Sequence, residues 1–303
     1  MPDSTTPALS VVVPTFNNVA VLQRCLESWQ TFADVAPVEI IVIEDGCRDA
    51  TADYLSRQAA SPWGQRHLRW CHEDNVHELR ATNRGLREAR APLVMTWHDD
   101  MFLRSGWLVP ELLDTFARRQ ALGLFCLSRG LVCRPFDQPI AAWEDLIDWR
   151  RLQSTIGPRF FNWFCVQEVD AVIRPWIVRR ACLDRVGALD EAFRPTGWDE
   201  ADLAFRIRQA GWIVATHGYE RLGAFMHLGS TTFAKFNLDL EQDLRNGRLF
   251  HARWDQAIAA GAARPRQRWL RSATPSGWLA TLGRMRAFAL PSRRRAILAG
   301  SDA

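Results

Sequence analysis

LSVVVPTF, residues 9–16, is a β-branched apolar run that closes at a proline. A run with no polar alternation predicts a strand buried on both faces, as in a parallel sheet. The signal recurs in VEIIVIEDG (38–46), which ends in an Asp-Gly turn, in LRWCHED (68–74) and in PLVMTW (92–97). Segments of helical period lie between them. VAVLQRCLESWQTF (19–32) spaces Val21, Leu22, Cys25, Leu26 and Trp29 at helical intervals behind Asn18, a suitable N-cap. CRDATADYLSRQA (47–59) and ATNRGLREAR (81–90) read as two further helices. Strand and helix that alternate in this way predict an α/β fold, a doubly wound, mostly parallel sheet covered by helices on both faces.

Such sheets bind ligands in the crevice beyond the carboxyl ends of their strands. The polar clusters PTFNN, EDGCRD, HEDN and HDDM follow the four strands in turn, so all four should meet at one site. Further along, SGWLVPELLDTFARRQ (105–120) predicts a helix and GLFCLSRGLVC (123–133) a strand. VDAVIRPWIVRRACLDRVG (169–187) reads as a strand that runs into a helix, and DEADLAFRIRQAGW (199–212) as a helix with Leu203, Ile207 and Ala210 on one face. Residues 134–168 are rich in Trp and Phe without a period: Trp143, Trp149, Phe160, Phe161, Trp163 and Phe164.

The chain has 303 residues, enough for one large α/β domain with extensions, and 48% of them are hydrophobic, enough for a substantial core. Seven cysteines without a CxxC pair suggest neither a disulfide framework nor a zinc ribbon, and a reducing cytoplasm fits best. MPDSTTPALS lacks the features of a secretory signal, and no apolar run reaches the ~18 residues of a membrane span. Charge is unevenly spread. From Gln256 onward nine arginines face one acid, a net +8, while the rest carries 29 basic and 33 acidic residues, a net −4. Basicity is thus a property of the tail, which argues against a nucleic-acid-binding core.

SVVVPTFNN, IVIEDGCRDAT, NRGLREARAPLVMTWHDDM, VRRACLDRVGALDEAF and GWDEADLAFRIRQAGW follow in the order and spacing of family 2 glycosyltransferases of the GT-A fold, a resemblance covering residues 9–230. It implies a Rossmann-like GT-A domain over 1–235, with a nucleotide-sugar-binding half at 9–130 and an acceptor-binding half at 131–235. A basic, helical C-terminal extension follows at 236–303. It also implies an inverting transfer from a UDP-, GDP- or dTDP-linked sugar, dependent on Mn2+ or Mg2+.

Residue by residue, Pro14, Thr15 and Asn17 match the nucleotide-contacting turn, and Asp45 the acid that holds the base. Asn83 matches a position near the nucleotide, and Arg80 can reach a diphosphate; read as isolated residues they are a helix cap and a solvated arginine. In HDDM the family's Asp-x-Asp motif has His98 at its first acid. The family's last acid most often binds the metal, which implies Asp100 as metal ligand and Asp99 for the ribose or sugar, with His98 as either a ligand or a packed histidine. A hard cation on carboxylate oxygens would neutralise the departing diphosphate. GWDE carries the acidic pair in reversed order; Glu200 aligns with the family's base, which implies Glu200 as the base with Asp199 as the alternative. His227, in MHLGSTTF, matches a histidine that binds metal or diphosphate and pairs there with Ser230; a structural histidine is the competing reading.

The aromatic stretch 134–168 suits acceptor recognition, because Trp and Phe faces stack on sugar rings, or else core packing. In the tail, SGWLATLGRMRAFAL (276–290) predicts a helix with Trp278, Leu282, Met285 and Ala289 on one face, suited to an anionic membrane surface or to packing on its own domain or a second subunit. The expected acceptor is a glycan or lipid-linked glycan in bacterial surface polysaccharide synthesis, at the cytoplasmic face of the membrane. Two rivals are a nucleotidyltransferase, which would want a Gly-rich basic loop where PTFNN stands, and a silent nucleotide-binding or scaffolding module on the same fold.

Overall fold

The computed structural model describes residues 6–32, 36–128, 130–133, 152–154, 163–229, 240–261 and 266–299. Trp143, Trp149, Phe160, Phe161 and Ser230 lie outside the described residues, as does most of the expected acceptor stretch.

The four predicted apolar runs form β1 (Leu9–Thr15), β2 (Val38–Asp45), β3 (Leu68–Glu73) and β4 (Leu93–Thr96). They stand in the order β3-β2-β1-β4 with parallel pairing throughout. The chain winds outward from β1 to β3 and then returns to the other side of β1. Such a reversal of strand order opens a crevice at the carboxyl ends of β1 and β4. Burial explains the unbroken runs: Val11 and Val13 pack into the core on one face of the sheet, and Val12 with Ile41 and Ile43 into the core on the other.

Beyond β4 come β10 (Trp176–Arg179), β6 (Leu122–Cys126), β11 (Ile213–Thr216), β9 (Cys165–Glu168) and β13 (Arg268–Leu270), making a nine-stranded sheet. Strands β10 and β9 run against their neighbours, and the other seven share one direction. The sheet is the expected doubly wound, mostly parallel one. The antiparallel β10 has a consequence for the site, because its amino end lies at the same edge as the carboxyl end of β4. Two small sheets complete the strands, β5 (Met101–Leu103) with β12 (Phe225–His227), and β7 (Leu131–Cys133) with β8 (Leu152–Ser154).

Several boundaries depart from the periodicity for local reasons. The helix expected from Cys47 starts at Thr51, since the Asp49 carboxylate accepts from the Thr51 amide and hydroxyl and fixes a turn first. The helix expected from Ala81 begins at His77, because Asp45 accepts from the Val76 and His77 amides and so anchors its first turn from a distant strand. Segment 123–133 is divided between β6 and β7, and in 169–187 the strand starts only at Trp176. Asn18 occupies the N-cap position of the helix Val19–Gln30, but its side chain does not cap the helix. Gly85 lets the helix His77–Glu88 lie directly on β1, where a Cβ would come 2.1 Å from Val12 Cγ1.

The C-terminal region is helical, with helices at Leu240–Gly261, Pro275–Phe288 and Pro291–Ala299, and it also supplies β13 to the sheet edge. Arg271, after β13, reaches Glu111 at 2.8 Å, and both side chains are wholly buried. The buried face of the helix Pro275–Phe288 carries Gly277 and Thr281, with Trp278 and Met285 partly packed; Leu282 and Ala289, expected beside them, face out. Small residues face the body because Glu111 Oε2 would lie 2.4 Å from a Cβ on Gly277.

Candidate active site

The end of β4 delivers His98, Asp99 and Asp100 to the crevice, and the two carboxylates diverge. Asp99 turns toward β1 and accepts from Thr15 Oγ1 at 2.7 Å. Burial raises its pKa to about 6, against the Thr15 and Asn18 hydrogen bonds and with help from the neighbouring Asp100 charge. Asp100 turns the other way. The pairing of β5 with β12 sets His227 opposite Met101, one residue beyond Asp100, and brings its Nε2 to 3.2 Å from Asp100 Oδ1. The Leu228 amide, donating to the Asp100 carbonyl at 3.0 Å, fixes the same crossing. His98 completes the group, with Nδ1 3.9 Å from Asp100 Oδ1 and its ring centre 5.7 Å from that of His227. Donation to the Asp100 carboxylate raises the His227 pKa, with burial opposing.

One donor atom from each of His98, Asp100 and His227 lies within 4.8 Å of the other two. Donors bound to one ion at ~2.1 Å stand about 3–4 Å apart, so the three can hold a divalent cation after a small closure. Each histidine turns its Nε2 to a carboxylate oxygen, His227 to Asp100 at 3.2 Å and His98 to Glu78 at 3.4 Å.

A second cluster adjoins the first through Glu78, whose Oε1 is 3.4 Å from His98 Nε2. Its other neighbour is Arg174, which makes a short contact with the same oxygen. The Arg174 side chain is 5% exposed, and its guanidinium also faces Asp199 at 3.6 Å and Glu200 at 2.5 Å. Burial works to raise the Glu78 pKa, but Arg174 and His98 outweigh it and hold the acid at about 2. Arg174 lies two residues before β10, with Pro175 between, so the antiparallel insertion of that strand is what carries a cation into the crevice. The Trp176 indole donates to Glu200 Oε1 at 3.0 Å, and the Arg174 amide to Oε2 at 3.1 Å.

The acidic pair opens the helix Asp199–Gln209 behind Trp198, a bulky residue in the left-handed region with φ 67°. Such a conformation is costly for a non-glycine residue, and it turns the chain so that both acids meet Arg174. Asp199 is sealed, accepts from the Gly197 amide at 2.9 Å, and has its pKa raised by burial against the Arg174 charge. The side chain of Glu200 keeps 16% exposure against 2% for Asp199.

The remaining predicted residues divide. Asn17, at φ 49°, accepts from the Arg48 amide through Oδ1 and knits the turn after β1 to the one after β2, and Pro14 stands in register with Ile43. Asp45 is buried with each oxygen already accepting a backbone N–H. Asn83 is buried, and its amide bonds both the carbonyl and the N–H of Leu189. Arg80 pairs with Glu191 at 2.8 Å on the surface. Asp45, Asn83 and Arg80 therefore have partners outside the His98–Asp100–His227 group. Asp202, in the first turn of the helix Asp199–Gln209, is buried and holds Arg206, Arg253 and Trp254. An apolar cleft lined by Trp29, Phe32, Trp63 and Val109 contains none of these groups.

Sequence reasoning missed Glu78 and Arg174. The available signal for Arg174 was a lone arginine before a proline in an otherwise apolar stretch.

Residues 10–159 match the family model described as Glycosyl transferase family 2. EpsH of Bacillus subtilis (strain 168), assigned as a glycosyltransferase, is 26% identical over 113 residues, 37% of this chain and 30% of that protein. Among solved structures, GalNAc-T7 with UDP, GalNAc and Mn2+ superposes with a TM-score of 0.54 at 14% identity, over 72% of this chain and 43% of the other. The mannosyltransferase PcManGT of Pyrobaculum calidifontis, in complex with GDP-Man and Mn2+, gives a TM-score of 0.46 at 16% identity, over 97% and 84%. The chain spans less than half the length of EpsH and of GalNAc-T7. With its doubly wound sheet and its polar strand ends gathered at the switch point, the chain belongs to the family 2 glycosyltransferases and has the GT-A fold.

Proposed function

We propose that the protein transfers a glycosyl unit, with inversion, from a nucleoside-diphosphate sugar to a hydroxyl of a glycan or lipid-linked acceptor. Bacterial surface polysaccharide assembly at the cytoplasmic face of a membrane is the setting that suits such an acceptor. The observation that carries this reading is the meeting of His98, Asp100 and His227 with the Glu200–Asp199 pair at one crevice. A nucleotidyltransferase has less support, since the turn after β1 carries neither a glycine-rich loop nor a basic residue.

A divalent cation held by Asp100, His98 and His227 would neutralise the diphosphate as it leaves. Two imidazoles beside one carboxylate suit a first-row transition ion such as Mn2+ better than Mg2+, which prefers an all-oxygen shell. Thr15, Asn17 and Asp99 line the end of β1 and bind the nucleotide sugar. Glu200 takes the proton of the attacking hydroxyl, because it is the more accessible acid of the pair. Arg174 and Trp176 fix its orientation. Asp199 stays sealed behind it and supports the turn at Gly197.

Titration calorimetry with UDP and with GDP, each with and without Mn2+, tests the donor and cation reading. Asp100→Asn is expected to remove the Mn2+ dependence of binding, and unchanged dependence would move the cation elsewhere. Glu200→Gln is expected to lower transfer by about 10²–10⁴-fold with nucleotide affinity intact. If Asp199→Asn alone gives that loss, the base is Asp199.

A further inference from the structure

The last two helices display a surface that nothing in the transfer chemistry uses. Five large hydrophobic residues are exposed among the described residues, and four fall between 270 and 290: Leu270 (67%), Leu279 (69%), Leu282 (53%) and Leu290 (49%). Leu270 ends β13, whereas Leu279 and Leu282 take their position from helical geometry. In the helix Pro275–Phe288 the positions Gly277 and Thr281 face the protein, so at 100° per residue Leu279, Leu282 and Arg286 fall together on the opposite side. Leu290 follows on, and Arg293, Arg294 and Arg295 are exposed in the next helix. Polar residues would cost nothing at these positions, whereas exposed leucines among arginines form an apolar patch rimmed by positive charge.

We propose that this face docks the protein on an anionic lipid bilayer. Net positive charge concentrated in the same segment as the exposed leucines is complementary to a surface that is apolar in depth and negative at its headgroups. An acidic protein partner would use the arginines but leave the leucines unexplained, and a second copy of the chain would set the same exposed cations, Arg286 and Arg293 to Arg295, against each other. The face is also well placed. The helix Pro275–Phe288 packs on the turn Glu220–Leu222, with the Arg284 guanidinium against Gly223, and that turn runs directly into β12 and His227. Docking would therefore hold the rim of the crevice near the membrane plane. The inference does not depend on the transfer reading, since binding to lipid needs no donor.

Sedimentation of the full chain with vesicles tests it, using phosphatidylcholine alone or with about one-third phosphatidylglycerol, at low and high salt. Binding to the anionic vesicles only, weakened by salt, is expected. The triple variant Arg286→Gln/Arg293→Gln/Arg295→Gln should lower the partition coefficient about 100-fold, at about five-fold per arginine. Leu279→Ser/Leu282→Ser should lower it by roughly ten-fold. All five positions are exposed, so both variants should melt within a few degrees of the parent and bind nucleotide as it does. No sedimentation with anionic vesicles, or equal sedimentation with neutral ones, would overturn the proposal. A dimer in analytical ultracentrifugation that the leucine variant dissociates would overturn it in favour of a second copy.

Discussion

Arg174→Met removes a buried cation and keeps most of the side-chain volume, which isolates the charge. Three carboxylates, on Glu78, Asp199 and Glu200, then lose their shared counter-ion, with Asp199 sealed from water, Glu200 mostly covered and Glu78 36% exposed. Breaking a buried ion pair from one side costs about 3–5 kcal/mol at neutral pH. The loss should depend on pH, with a sign that follows from proton binding. With Arg174 present, Glu78 is held at about 2, a stabilising contribution present above the ordinary carboxylate range and lost as pH falls through it. Without Arg174, burial dominates and the folded protein binds protons that the unfolded chain has released. Stability of the variant should then fall as pH rises, by about 1.4 kcal/mol per pH unit for each acid kept protonated. Urea unfolding of parent and variant at pH 5 and pH 7 reads the difference, which should be larger at pH 7 by less than about 3 kcal/mol, because Glu78 keeps 36% exposure and burial already raises Asp199 in the parent. Arg174→Met/Asp199→Asn, which removes one stranded charge, should recover part of it. A loss equal at both pH values, or none, would refute the account of Arg174 as the shared counter-ion.

Three other perturbations test the packing that holds the site. Asn83→Ala should cost about 2–3 kcal/mol through its two buried bonds to Leu189, with UDP and GDP affinities unchanged in calorimetry; weaker nucleotide binding would return Asn83 to the donor site. Gly85→Ala should destabilise by about 1–3 kcal/mol in chemical unfolding because its Cβ collides with Val12, and Val12→Ala should relieve the strain in the double variant. Arg271→Met strands Glu111 in a wholly buried setting, so the unfolding midpoint should drop by an equivalent of about 3–5 kcal/mol; a smaller effect would mean that the tail contributes little to the fold.

The four opening strands were legible because parallel strands buried on both faces leave an unbroken apolar signature, and their polar ends marked the crevice. Legibility failed where partners are distant in sequence. Arg174 joins Glu78, 96 positions earlier, to Glu200, 26 later, and no local pattern announces either contact. His98 stayed ambiguous because only the pairing of β5 with β12 brings His227 beside it. Asp45 matches a ligand-binding position, and its oxygens also hold the start of a helix, a second use that the Asp-Gly turn conceals. In the tail, periodicity favoured large apolar residues for the buried face, whereas close approach to Glu111 requires the small Gly277 and Thr281 there.

The insertion of β10 between β4 and β6 bears on whether the two halves could ever act apart. Strand β6 belongs by sequence to the nucleotide-binding half, yet both its sheet partners, β10 and β11, come from the acceptor half. A fragment ending near residue 130 would expose the flank of β4 and leave β6 with no strand to join. The two expected halves thus share one continuous sheet, so the proposed donor and base sites would unfold together as one cooperative unit.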